Sequence, residues 1–222
     1  MAALRLVFLG PPGTGKGTQA QKLSERFAWE WLSSGDVLRR EMGSGSEVGN
    51  AAAEYVKSGT LVPDAVITGV MLSCIERLPH ASGFVLDGYP RTVPQARALD
   101  LGLSDRGTPL HGAIDFQADD ATIVERIVTR RVCNACGRTY NTKFLPPRVA
   151  DRCDACGGAL VQRVDDDADV ITTRLATYRS QTAPLVEYYT ERGLLRPVNA
   201  VAPAADVEAE LMDIVDSLGR GT

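Results

Sequence analysis

The stretch LRLVFLGPPGTGKGTQAQKLSERF, residues 4–27, restricts the fold of this chain more than any other. It opens on a short apolar run, the pattern of a strand buried on both faces of a parallel sheet. Glycines follow at positions 10, 13, 15 and 17, and then Ala20, Leu23 and Phe27 recur at helical spacing. Strand, glycine turn and helix together make a phosphate-binding loop. The glycines let successive backbone N–H groups converge on an anion, and the helix N-terminus adds partial positive charge. Lys16 is placed to reach the outer phosphates of a nucleoside triphosphate. One departure matters. The usual spacing sets a Ser or Thr directly after the lysine to ligate Mg²⁺. Here Gly17 intervenes and the hydroxyl comes from Thr18, which weakens the expectation of direct metal ligation by the loop.

Further short apolar runs lie near Trp31–Ser33, at Phe84–Asp87, at Ala113–Phe116 and at Leu195–Val198, with helical patterns between them. Such alternation implies an α/β fold: a parallel five-stranded sheet of the P-loop NTPase type with helices on both faces. In VPDAVITGVMLSCIERL, opened by Pro63, the apolar stripe is Val66, Val70 and Cys74, which makes Cys74 a small core residue. DVITTRLATYRSQTAPLVEYYTERG reads as one longer helix carrying Pro184. Two stretches break the alternation, residues 33–62 and 129–166. Both are expected to be mobile covers inserted into a core made of 1–32, 63–128 and 167–222.

The second insertion holds four of the five cysteines, as two Cys-x-x-Cys pairs, Cys133/Cys136 and Cys153/Cys156, with sixteen residues between the pairs. That spacing is a zinc signature, and four thiolates leave no open position, so the metal is expected to be structural. Gly137 and Gly157 permit the tight turns after each pair. A segment of about forty residues buries little core of its own, and metal–sulfur bonds would let it move as one body. Disulfides are the alternative in an oxidising compartment.

Composition narrows the partners. Hydrophobic residues at 44% and charged residues at 23% describe an ordinary globule. A net charge of −4 opposes broad nucleic-acid binding. No apolar run is long enough to span a bilayer and the N-terminus does not read as a signal peptide, so a cytoplasmic protein is expected. Asp87, ending the run Phe84–Leu86, could orient waters on Mg²⁺. A phosphate acceptor is already mostly ionised near neutral pH, its second pKa being about 6, so the chemistry needs cations rather than a general base. Accordingly neither His80 nor His111 lies in a motif.

GPPGTGKGTQA, LSSGDVLRR, GTLVPD, DGYPRT, RRVC and QRVDDDADVITTRL follow one another as in adenylate kinases. The chain resembles the long form of that family, with a zinc-bearing lid, over nearly its whole length. The resemblance implies Mg²⁺-dependent transfer between ATP and AMP, giving two ADP. It implies an ATP site of Gly10, Gly13, Thr14, Gly15, Lys16, Gly17, Thr18, Arg126, Arg130 and Tyr140, with Tyr140 where the lid covers ATP. It implies an AMP site of Ser34, Gly35, Arg39, Thr60, Leu61, Val62, Gly88, Arg91 and Gln95. Here Ser34 stands where Thr is common, and Tyr89 where Phe is usual. Arg163 and Arg174 would close over the phosphates, so that Lys16, Arg91, Arg126, Arg130, Arg163 and Arg174 form the catalytic set. Asp165 and Asp166 would flank the lid hinge, and a monomer is expected by analogy. A UMP/CMP kinase, a GTP-dependent AMP kinase, a zinc-ribbon nucleic-acid binder driven by a P-loop, and a nucleotide switch remain open alternatives.

Overall fold

The computed structural model describes residues 3–163 and 165–220. The central sheet is built from β1 (Arg5–Leu9), β2 (Glu30–Ser33), β3 (Phe84–Asp87), β4 (Gly112–Gln117) and β8 (Leu195–Asn199). Their order is β2-β3-β1-β4-β8, and every neighbouring pair is parallel. β1 lies in the middle and shows why its residues 6–9 read as a continuous apolar run. Val7 and Leu9 face one buried cluster, Leu6 and Phe8 the other. The first cluster is closed by α4 (Asp64–Glu76), α5 (Val93–Asp105) and α8 (Pro184–Glu191), through Ile67, Met71, Leu99, Leu103, Leu185 and Tyr189. The second is closed by α1 (Lys16–Phe27) and α9 (Ala204–Arg220), through Ala20, Leu23, Val207, Leu211 and Val215. No helix among the described residues is long and apolar enough to cross a membrane.

Two helical readings need correction. The buried face of α4 is Ile67, Met71 and Ile75, one residue on from the stripe read in the sequence. Val66, Val70 and Cys74 pack at its flank, half-buried. With apolar residues nearly all round, periodicity could not choose the face. The long helix is also not uniform. It runs as α7 (Ala168–Thr177), then a π-helical turn over Tyr178–Thr182, then α8. Proline lacks an N–H and its ring crowds the preceding turn. Here the Ala183 N–H, just before Pro184, reaches the Tyr178 carbonyl five residues back at 2.8 Å, a single wide turn that carries the chain past the proline.

The insertion after β2 is a pair of capped helices, α2 (Ser34–Ser44) and α3 (Glu47–Ser58). Ser33 and Ser46 accept from the N–H groups of Asp36 and Gly49, at 3.3 and 3.0 Å. The second insertion leaves α6 (Asp120–Val128) and returns into α7, and Ile123, Ile127, Ile171 and Leu175 pack these two stems together. It is a small antiparallel sheet, β6-β5-β7, of β5 (Arg130–Cys133), β6 (Thr139–Asn141) and β7 (Leu160–Val161). Its own buried core is Cys133, Tyr140, Cys153 and Leu160, so half of it is cysteine.

Candidate active site

Ligands of open α/β sheets sit at the carboxyl ends of the strands. Here the turns after β1, β2, β3 and β8 line one cleft of about 670 Å³. Every residue that the resemblance placed in a nucleotide site lines this cleft, together with Asp87 and Asp165. The four cysteines lie outside it.

The loop after β1 is held by its own geometry. Gly10 turns at φ 130°, and a Cβ there would come within 2.5 Å of the Phe116 carbonyl oxygen, so only glycine fits. Lys16 Nζ donates to the carbonyls of Gly10 and Pro11, at 2.8 and 2.7 Å. Burial lowers its pKa to about 8; Asp87 opposes this, while Arg91, Arg174 and Arg130 add to it. A Cβ at 17 would sit 3.3 Å from Asp87 Oδ2 and 3.4 Å from the Trp31 ring. The carboxylate at the end of β3 is thus pressed against the loop. It has no hydrogen-bond or ion-pair partner among the described residues, which suits a hydrated cation in front of it.

Across the cleft, the turn after β3 holds a second anion site. Gly88 (φ 74°) lets Ser34 Oγ donate to its carbonyl at 2.6 Å, and Arg91 Nε donates to the same oxygen at 2.8 Å. Arg91 has no carboxylate partner among the described residues. Burial lowers its pKa, and Arg39 adds to that. Gln95 accepts from the Arg91 N–H and donates to Asp64, both at 2.7 Å. One N–H and one lone pair of its amide remain for a base edge. Thr92 also donates to Asp64, at 2.8 Å. Asp64 therefore positions this corner, a role hidden in the sequence by its place at the opening of α4.

The remaining arginines come from the lid and its stems. Arg130 is paired with Asp166, its Nε 2.9 Å from Oδ2. Arg174 reaches Asp165 at 2.9 Å. Arg163 lies 4.0 Å from Asp36 of α2, which also receives Arg39 at 2.6 Å. The lid and the first insertion thus meet over the cleft through Asp36, a residue inside the quoted SSGD motif that was given no role. Burial pushes Arg163 and Arg174 down to about 10, and neighbouring arginines contribute. Arg126 donates to the carbonyls of Ala200 and Val201, at 2.6 and 3.3 Å, with its guanidinium 5.7 Å from the Phe144 ring. The loop after β8, the π-helical turn and Phe144 also line the cleft. They carry no charged or glycine-rich motif by which sequence could mark them.

Tyr140 adds a contact that its sequence motif does not show. It lines the cleft, but its ring is buried in the lid and its hydroxyl is turned away. That oxygen accepts from the Asp154 N–H at 2.7 Å and lies 3.4 Å from Cys153 Sγ.

The four sulfurs lie within 4.8 Å of one another, with Cys133–Cys156 and Cys136–Cys153 at 3.5 and 3.6 Å. No cysteine is in a disulfide. A tetrahedral zinc with bonds of about 2.3 Å needs sulfurs about 3.8 Å apart. The Gly137 and Gly157 N–H groups close matching turns on the carbonyls of Cys133 and Cys153, at 3.0 and 2.8 Å. The electrostatics agree. Cys153 is held down to about 6, by Tyr140 first and by the N–H groups of Ala155 and Cys156, with burial opposing. Cys136 keeps a hydrogen bond from the Arg138 N–H, yet burial and the other three sulfurs push it up to about 12. Four thiolates cannot share this space without a cation, and the donor set fits zinc.

The adenylate kinase family model matches residues 8–194. The chain is 47% identical to the adenylate kinase of Geobacter sulfurreducens over 214 residues, 96% of this chain and 99% of that one. It is 45% identical to that of Moorella thermoacetica over 217 residues, 98% and 99% of the two chains. It is 45% identical to that of Symbiobacterium thermophilum over 212 residues, 96% and 98%. With likeness of this extent over a phosphate loop and a cation-lined cleft, the chain belongs to the adenylate kinase family.

Proposed function

We infer that the chain catalyses reversible phosphoryl transfer from ATP to AMP, giving two ADP. The observation that carries this is the convergence of Lys16, Arg39, Arg91, Arg130, Arg163 and Arg174 on one cleft with a phosphate loop at one end and Ser34, Gly88 and Gln95 at the other. Two polyanions facing each other need this concentration of cations, and their charges repel one another until the anions arrive.

In this reading Gly10 to Thr18 and Arg126 hold ATP. Ser34, Gly35, Arg39, Thr60–Val62, Gly88, Arg91 and Gln95 hold AMP. Lys16, Arg130, Arg163 and Arg174 bear on the migrating group, whose charge spreads over its equatorial oxygens in the transition state. Adenylate kinases use Mg²⁺ with ATP, and Asp87 would orient its water shell. When bound, the ion supplies charge neutralisation on the phosphates. Arg163 brings desolvated charge from the lid and completes the site only when the lid is down, while Arg174 faces it from the α7 stem. Residues 33–62 would close on AMP and 129–166 on ATP, hinged to a core of 1–32, 63–128 and 167–222. Zinc in the four-cysteine clip would hold the lid rigid, and the thiolates suit the reducing cytoplasm.

The test is a coupled assay of ADP formation with ATP or GTP against AMP, UMP, CMP and GMP. AMP with ATP should be the best pair. Faster turnover of UMP or CMP would move the acceptor assignment. ATP consumption indifferent to any monophosphate would leave a hydrolytic switch instead.

A further inference from the structure

Tyr140 lines the cleft, but the contacts of its hydroxyl point to a second role. The ring is buried, with 5% exposure, among Cys133, Cys153 and Leu160. The hydroxyl oxygen already accepts the Asp154 N–H at 2.7 Å. Its own hydrogen is therefore free to be donated, and the neighbour within reach is Cys153 Sγ at 3.4 Å. A metal-bound thiolate can only accept, so the direction of the bond follows. Asp154 is in turn fixed by the Arg148 N–H, which donates to its Oδ1 at 2.9 Å. The chain Arg148–Asp154–Tyr140–Cys153 thus ties the loop between the cysteine pairs to one sulfur.

The two halves of the clip are otherwise alike. Cys133 receives the N–H groups of Cys136 and Ala135, and Cys153 those of Ala155 and Cys156. Among the described residues, only Cys153 has a further donor from a side chain outside the cysteines. Outer partners of this kind fix a ligand's orientation, and losing one typically costs 10–100-fold in metal affinity.

We propose that Tyr140 is a positioning residue for the metal clip, donating its hydroxyl hydrogen to the Cys153 thiolate, and that its hydroxyl takes no part in holding ATP. The inference rests on the zinc reading of the clip. It implies that a side chain lining the nucleotide cleft also sets how tightly the lid keeps its metal.

The experiment compares the full chain with Tyr140→Phe, which keeps the ring and removes the hydroxyl. Zinc content is measured first, then zinc affinity by competition with a chromophoric chelator, then KM for ATP with zinc saturating. The expected result is one zinc per parent chain and zinc affinity lowered 10–100-fold in the variant. A parent without zinc would overturn both the clip reading and this inference. A zinc-loaded parent with unchanged affinity in the variant would overturn the inference alone, as would unchanged zinc affinity with a raised KM for ATP. Should the variant fail to fold, the parent carries the test. In the zinc-loaded protein the Tyr140 hydroxyl proton should be protected from exchange and visible by proton NMR. A rapidly exchanging hydroxyl would overturn the assignment.

Discussion

Lys16 donates to two backbone carbonyls in the cleft, and these are poor substitutes for phosphate. Its charge is held in a buried site among arginines, so binding a polyanion relieves more than it costs. Lys16→Met should therefore fold normally and lose about 10²–10³-fold in kcat, the range for removing one charge that acts in the transition state. A folded variant within threefold of the parent would refute the loop assignment. The same environment gives a pH signature. The free-cleft pKa of about 8 must rise when phosphates bind, because the added negative charge favours the ammonium. ATP affinity should then be flat between about pH 7, where the phosphates are ionised, and pH 8, and fall above that by up to tenfold per unit, with proton uptake on binding. Titration calorimetry in two buffers measures both, and Lys16→Met should abolish the slope. Arg91, with its Nε on the Gly88 carbonyl rather than on a carboxylate, belongs to the acceptor end. Arg91→Ala should raise KM for AMP by about 30-fold, on the order of 2 kcal/mol, and leave that for ATP nearly unchanged. The reverse pattern in kinetics varying each nucleotide would exchange the two sites.

At the scale of elements, the turn between β3 and α5 decides whether these groups meet. Gly88 sits at φ 74°, and a Cβ there would lie 2.9 Å from Ser34 Oγ and 3.0 Å from Arg91 Nη2. Gly88→Ala should cost about 1–2 kcal/mol of stability for the left-handed backbone. It should also raise KM for AMP more than KM for ATP, since both displaced groups border the acceptor. A thermal melt and steady-state kinetics check the two halves separately. The strands and the glycine loop were legible in the sequence because each depends on local signals: apolar runs, glycines and a lysine at one spacing. The buried face of α4 was not, because a helix apolar nearly all round takes its orientation from what packs on it. The π-helical turn was not either, since Pro184 marks a disturbance but not how the preceding carbonyls are satisfied. Among site residues, those in charged or glycine-rich motifs could be found. Asp64, Asp36 in its approach to Arg163, and the hydroxyl of Tyr140 act through partners distant in sequence, and only the fold brings those partners near.

The whole molecule joins a large two-sided core to a lid whose own buried residues are Cys133, Tyr140, Cys153 and Leu160. Such a core cannot order a segment of this length by apolar burial alone. If zinc supplies the missing stability, its loss should separate folding from chemistry. Purified protein should hold one zinc per chain. Cys153→Ser combined with Cys156→Ser, or removal by a chelator after mild thiol modification, should lower the unfolding temperature. A metal bound only by the folded lid stabilises it by its binding free energy, less any affinity of the unfolded thiols. The sheet, Lys16 and Arg91 lie outside the lid. The stripped protein should therefore still make ADP at low temperature, with activity reduced because Arg163 is held less firmly over the phosphates. As temperature rises, activity should fail before the core melts, since the lid unfolds on its own through the α6 and α7 stems. Calorimetry of parent and stripped protein, beside rates taken over the same temperatures, makes the comparison. Full inactivation with an unchanged melting curve would place the metal in the chemistry rather than in the lid.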